Sequence, residues 1–112
     1  MADLHTRTLS DRASQWQCRP ESRHDCGPDG CAELDPTLWV NLDFDSLSYE
    51  RCEQAGCDGY AMEVQRSGAY TVVTLLGRGA TFLKVLNDGS ESVEVASLGT
   101  GVIVYHGRCV PR

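Results

Sequence analysis

The second half of this 112-residue chain is divided by short glycine-bearing turns at nearly equal intervals. They are Arg66-Ser67-Gly68, Gly77-Arg78-Gly79, Asn87-Asp88-Gly89 and Gly99-Thr100-Gly101. Between them lie runs rich in Val, Leu, Thr, Tyr and Phe. Strand-length runs spaced by roughly ten residues indicate consecutive antiparallel hairpins. Glycine suits the ends of such turns because it takes the left-handed backbone conformation without steric cost. Residues 59–65, 69–76, 80–86, 91–98 and 102–109 are read as strands on this basis.

Earlier in the chain the signal is alternation. Residues 14–19 place Trp16 and Cys18 on one face of a short strand, which Pro20 ends. Residues 20–36 are polar and rich in turn formers, and read as a loop. In residues 37–44, Leu38, Val40, Leu42 and Phe44 share one face, while Trp39, Asn41 and Asp43 share the other. Residues 47–52 group Leu47, Tyr49 and Arg51. A helix has room only as a short piece around residues 43–50.

The turns also predict register. A three-residue loop at Asn87-Asp88-Gly89 opposes Leu83 to Val93 and Thr81 to Val95. A two-residue loop would oppose Leu83 to Glu94, so matching of apolar partners favours the first. The same rule pairs Val73 with Leu83, Thr71 with Val85, Val95 with Tyr105 and Ser97 with Ile103. The inner face is then Thr71, Val73, Leu75, Leu83, Val85, Val93, Val95, Ile103 and Tyr105. At Arg66-Ser67-Gly68 the rule sets Met62 against Val72 and Val64 against Tyr70, on the opposite face. That conflict requires a bulge near residue 70 or a strand covered on both sides.

The predicted fold is all-β: one small antiparallel meander of seven to eight strands, closed or nearly closed as a barrel, with a β-sandwich as the alternative. Residues 1–15, poor in large apolar side chains, are read as a disordered tail ahead of a single domain at 16–112.

Six cysteines in so short a chain suggest a disulfide framework and an oxidising compartment. Cys26 and Cys31 flank a Gly-Pro-Asp-Gly turn, and Cys52 and Cys57 have the same spacing. Barrel closure brings Cys18 beside Cys109. The predicted connectivity is Cys26–Cys31, Cys52–Cys57 and Cys18–Cys109. The alternative is a zinc site built from Cys26, Cys31, Cys52 and Cys57, although zinc ligand pairs are usually closer together. Residues Met1–His5 hold no apolar stretch, so the expectation is a periplasmic or secreted chain whose leader has been removed. A cytoplasmic protein is the alternative.

Net charge is −6, with twelve acidic and five basic side chains in residues 1–58 against four and five in residues 59–112. Without a basic cluster, nucleic acid is not the expected partner. No apolar run is long enough to span a membrane, and a monomer is expected.

No nucleophile elbow, metalloprotease motif or phosphate loop is present. His106 falls on the last strand, opposite in face to Ile103 and Tyr105, and reads as an exposed or hydrogen-bonded strand residue. Asp43 and Asp45 share a face near Glu50, where solvent would keep both ionised; acid–base work would need burial to separate their pKa values. Trp39, on a polar face, is either covered by the 20–36 loop or an interface anchor. Lys84, the only lysine, lies mid-strand between Phe82 and Leu86, snorkelling over apolar surface or offered to a partner. Together these features predict a non-enzymatic, extracytoplasmic binding domain without a cofactor. Its ligand would be a protein or a small molecule, and it would act as an inhibitor toward a basic partner. The alternatives are the cytosolic zinc module and, third, a small hydrolase-like enzyme.

Overall fold

The computed structural model describes residues 14–77 and 80–112, and among these there is no helix. The strands are β1 (Gln15–Gly27), β2 (Gly30–Leu34), β3 (Trp39–Asp43), β4 (Ser48–Glu53), β5 (Gly56–Ser67), β6 (Tyr70–Leu75), β7 (Thr81–Leu86), β8 (Ser92–Leu98) and β9 (Gly101–Pro111). Strands β3 to β9 run as an antiparallel meander, and β9 returns to pair with β1. The result is a closed eight-stranded barrel with β2 as an extra strand. Closure removes the edges that an open sandwich would leave. The predicted tail lies outside the described residues up to residue 13. Gln15 already belongs to β1, and the Ser14 carbonyl accepts the Phe44 N–H at 2.8 Å.

Strand β1 differs most from the sequence reading. Residues 20–36 are not a loop: β1 continues through Gly27 and turns into β2. Gln15–Cys18 pair with β3, Arg23–Gly27 pair with β2, and β9 lies along the other side of β1. Pro20 does not end the strand because the register slips between Pro20 and Ser22. A bulge is one of the few places in a sheet where the missing proline N–H is tolerated. The slip also exchanges faces. Before it Trp16 and Cys18 point inward; after it Arg23 and Asp25 lie opposite the inward residues Tyr105 and Ile103. Gly107, opposite Pro20, makes this crossing possible. A Cβ there would lie 2.1 Å from the Arg19 carbonyl oxygen.

Register follows expectation at one turn and departs from it at three. Val73 faces Leu83 and Thr71 faces Val85, as predicted. At residues 87–90 the loop is one residue longer than expected, with the Leu86 N–H donating to the Glu91 carbonyl at 2.9 Å. Leu83 therefore opposes Glu94, and Val85 opposes Ser92. At Gly99-Thr100 the loop is one residue shorter, pairing Glu94 with Tyr105 and Ala96 with Ile103. Both shifts invert β8: Glu94 and Ala96 are buried, and Val93 and Val95 move to the outer face. At Gly68-Ala69 the loop again has two residues, so Met62 meets Leu75 and Val64 meets Val73. The expected conflict disappears, because these residues now share the inner face. Leu47 leaves the expected strand and sits in a turn with φ of 54°, exposed.

The core is the barrel interior, where Leu42, Tyr49, Met62, Val73 and Val85 are almost fully buried. Each such apolar side chain contributes on the order of 1.5–3 kcal/mol by leaving water.

Candidate functional site

Charged side chains complete the interior. Glu94 on β8 accepts the Tyr49 hydroxyl on one oxygen and Arg51 Nη1 on the other, the latter at 2.5 Å. Arg51 also donates to the Tyr49 oxygen at 2.8 Å and lies 5.2 Å from the Tyr105 ring centre. Arg23 sits 5.7 Å from the same ring and grips Asp25 with two hydrogen bonds of 2.7 and 2.9 Å. Burial, followed by the Glu94 charge, pushes the Tyr49 hydroxyl well above the ordinary tyrosine range. The space left beside Leu83, Glu94 and Tyr105 is about 10 Å³, on the order of a single water. Glu94, Tyr49 and Arg51 thus bond one another within the barrel.

The cysteines form Cys18–Cys109, Cys26–Cys31 and Cys52–Cys57, the predicted connectivity. Each links residues directly opposite across an antiparallel pair. The four thiols of the zinc alternative are thus divided between two hairpins and bonded, with no free cysteine among the described residues. Glu50 lies near Cys52 and Cys57, but sulfurs joined in a disulfide carry no thiolate for a metal.

The other sequence candidates are scattered. Trp39 is half-buried opposite Cys52, and its cover is Arg19, 5.4 Å above the ring, rather than a 20–36 loop. Arg19 opens a polar ladder across the outside of the barrel. Its Nε donates to Gln17 at 2.9 Å, Gln17 donates to Asn41 at 3.2 Å, and Asn41 donates to Glu50 at 2.9 Å. Asp43 ends β3 and accepts the N–H groups of Asp45 at 2.9 Å and Ser46 at 3.1 Å. These bonds, that from Ser46 foremost, hold its carboxyl below the usual range. Asp45 is exposed within the turn that Asp43 caps, so the two do not share a strand face as predicted.

Lys84 belongs to a larger feature. On the outer face it stands between Val72 of β6 and Val93 of β8, while Phe82 stands between Thr74 and Val95. Its ammonium nitrogen lies 4.2 Å from the centre of the Tyr70 ring, within reach of a cation–π attraction. Tyr70 and Phe82 are 37% and 38% exposed. Two grooves meet at Tyr70 and Lys84. The larger, about 620 Å³, has Val72, Phe82 and Val95 in its walls. The other, about 410 Å³, is bounded by Glu21, Glu91, His106 and Arg108. His106 is exposed there, on the face predicted for it. Sequence reasoning set Lys84 beside Phe82 but missed Tyr70, and it missed Val93 and Val95 because the expected register sent them inward. The doublet Val72-Val73 was the available signal, since it makes both faces of β6 apolar.

No protein-family model matches this chain, and no curated protein matches it in sequence.

Proposed function

We propose that this chain is a non-enzymatic, extracytoplasmic binding domain that holds a protein partner against the outer face of β6–β8, with Lys84 at its charged centre. The observation that carries this reading is the contrast between inside and outside. Inside, the apolar core and the Glu94–Arg51–Tyr49 cluster pack together, and the cavity beside Leu83, Glu94 and Tyr105 has room for about one water. The outer face combines half-exposed aromatic and aliphatic side chains with the only lysine of the chain. A cation set among apolar groups suits a carboxylate that a partner presents within an apolar surface. Surrounding contacts exclude water from such a pair and so sharpen specificity. Three disulfides are consistent with an oxidising compartment, periplasmic or extracellular.

The test compares wild type with Phe82→Asp, Lys84→Glu and Trp39→Ala as baits in an extracytoplasmic fraction. A partner held by wild type and Trp39→Ala, and lost from the other two with melting temperature unchanged, supports the proposal. A partner held equally by all four overturns it.

A further inference from the structure

Strand β2 is in a different position from the barrel strands. Each barrel strand has a neighbour on both sides, whereas β2 pairs with β1 alone among the described residues. All its residues are exposed. Pro28 and Asp29 connect the facing residues Gly27 and Gly30. In a hairpin of this type the closing pair exchanges both hydrogen bonds, and bonded and non-bonded pairs alternate from there. Cys26–Cys31 and His24–Glu33 therefore fall at non-bonded positions. The backbone N–H and C=O groups of Cys31 and Glu33 point away from β1, toward the open side.

That edge is already rigid. The Cys26–Cys31 disulfide fixes β2 to β1, and β9 backs β1 through Val102–Tyr105. A strand added here would require little ordering of the protein itself. The side chains define what fits. Cys31 and Glu33 follow one face of β2 and Ala32 and Leu34 the other, with Asp35, exposed, directly after the strand. The Glu33 side chain is 72% exposed, and His24 Nε2 lies 3.9 Å from its Oε2. Leu34 is 46% exposed. A second copy pairing edge to edge would set Glu33 and Asp35 against the same acids, which repel. A strand alternating lysine or arginine with aliphatic residues would meet acids on one face and Ala32 and Leu34 on the other.

We infer that β2 is a docking edge for an extended basic segment of a partner protein, which adds to the sheet as a further strand. The carboxylates that keep two copies apart select this partner. This edge is distinct from the Lys84 face and does not depend on it.

The probe is a fluorescent peptide of alternating lysine and valine, followed by anisotropy, with backbone amide shifts locating it. A second peptide of equal charge carries proline in place of valine and cannot form a ladder. Saturable binding of the first is expected, with shifts at residues 31–35 and roughly tenfold weaker binding of the proline peptide. Glu33→Pro removes the outward N–H and should weaken binding by roughly tenfold or more. Glu33→Gln keeps the N–H and should weaken it less. Should Glu33→Pro fail to fold, the comparison of the two equally charged peptides on the unaltered protein carries the test. Absence of saturable binding overturns the inference, as does equal binding of the two peptides, which would mean charge attraction without strand addition. Shifts confined to another surface, or a dimer that pairs through β2, overturn it equally.

Discussion

Glu94 and Arg51 meet inside the barrel, Oε2 to Nη1 at 2.5 Å, with side chains only 4% and 10% exposed. The two lie on opposite walls of the barrel, β8 and β4, and Tyr49 completes the contact. Removing one member leaves the other buried without compensation. Glu94→Leu alone should cost about 3–5 kcal/mol in urea unfolding. The joint change Arg51→Met with Glu94→Leu should cost less, about 1–3 kcal/mol, mainly for the Tyr49 hydroxyl left without its acceptor. A double variant less stable than the single one would show that the pair is not coupled in this way.

Stability should fall on the alkaline side through Tyr49. Its folded pKa is raised by burial and by Glu94. A raised folded pKa gives stability that is fully present below the unfolded value, about 10, and is lost as pH rises above it toward the folded value. The Tyr49→Phe variant should show a flatter profile there in urea midpoints measured against pH.

On the acid side the sign is opposite. Asp25 is held low by Arg23, Asp43 by the Ser46 N–H and Asp88 by the Ser90 side chain. Depressed folded values give stability present above the unfolded value, about 3.9, and lost as pH falls below it. Equal urea midpoints at about pH 2 and about pH 5 would contradict this sign.

Gly89 should be the least replaceable of the turn glycines. Its φ is +81°, and a Cβ there would lie 2.3 Å from the Cys109 carbonyl oxygen and 3.2 Å from the Trp16 ring. Gly68 has a similar φ, +62°, but open space around it. Gly68→Ala should cost only the conformational penalty, about 1–2 kcal/mol. Gly89→Ala should cost more in the same melting assay, because the loop must also lift from the Cys109 strand end that its carbonyl binds at 2.8 Å. Equal losses for the two would mean that the loop yields freely.

Among the disulfides, Cys18–Cys109 should matter most. It joins residues 91 apart, while the other two bridge a separation of 5. In the chain-entropy account the long link contributes about 4–5 kcal/mol and each short one about 2 kcal/mol. Paired Cys→Ala variants, compared by urea midpoint, should rank in that order.

The sequence alone determined the all-β class; closure of first strand on last and the cysteine pairing were its preferred readings, against a sandwich and a zinc site, and the structure has both. The class and the two short disulfides rest on local signals: alternation, turn residues and cysteine spacing, while Cys18–Cys109, 91 residues apart, follows from closure. Tertiary structure decided the orientation of β8. The apolar residues Val93 and Val95 flank Glu94, and matching like with like puts the valines inside. The reverse holds because Arg51 and Tyr49, more than forty residues away in sequence, satisfy Glu94 where no local signal announces them. That inversion also assembles the outer face around Lys84, so the candidate site followed from the same non-local contact. Pro20 and Gly107 make the same point for β1. Proline ends a strand by local rules, but a bulge opposite a glycine carries the strand on and leaves β2 at an open edge. Alternation and turn chemistry act within a few residues; the partner of a buried charge and the close approach of two backbones exist only once the chain has closed.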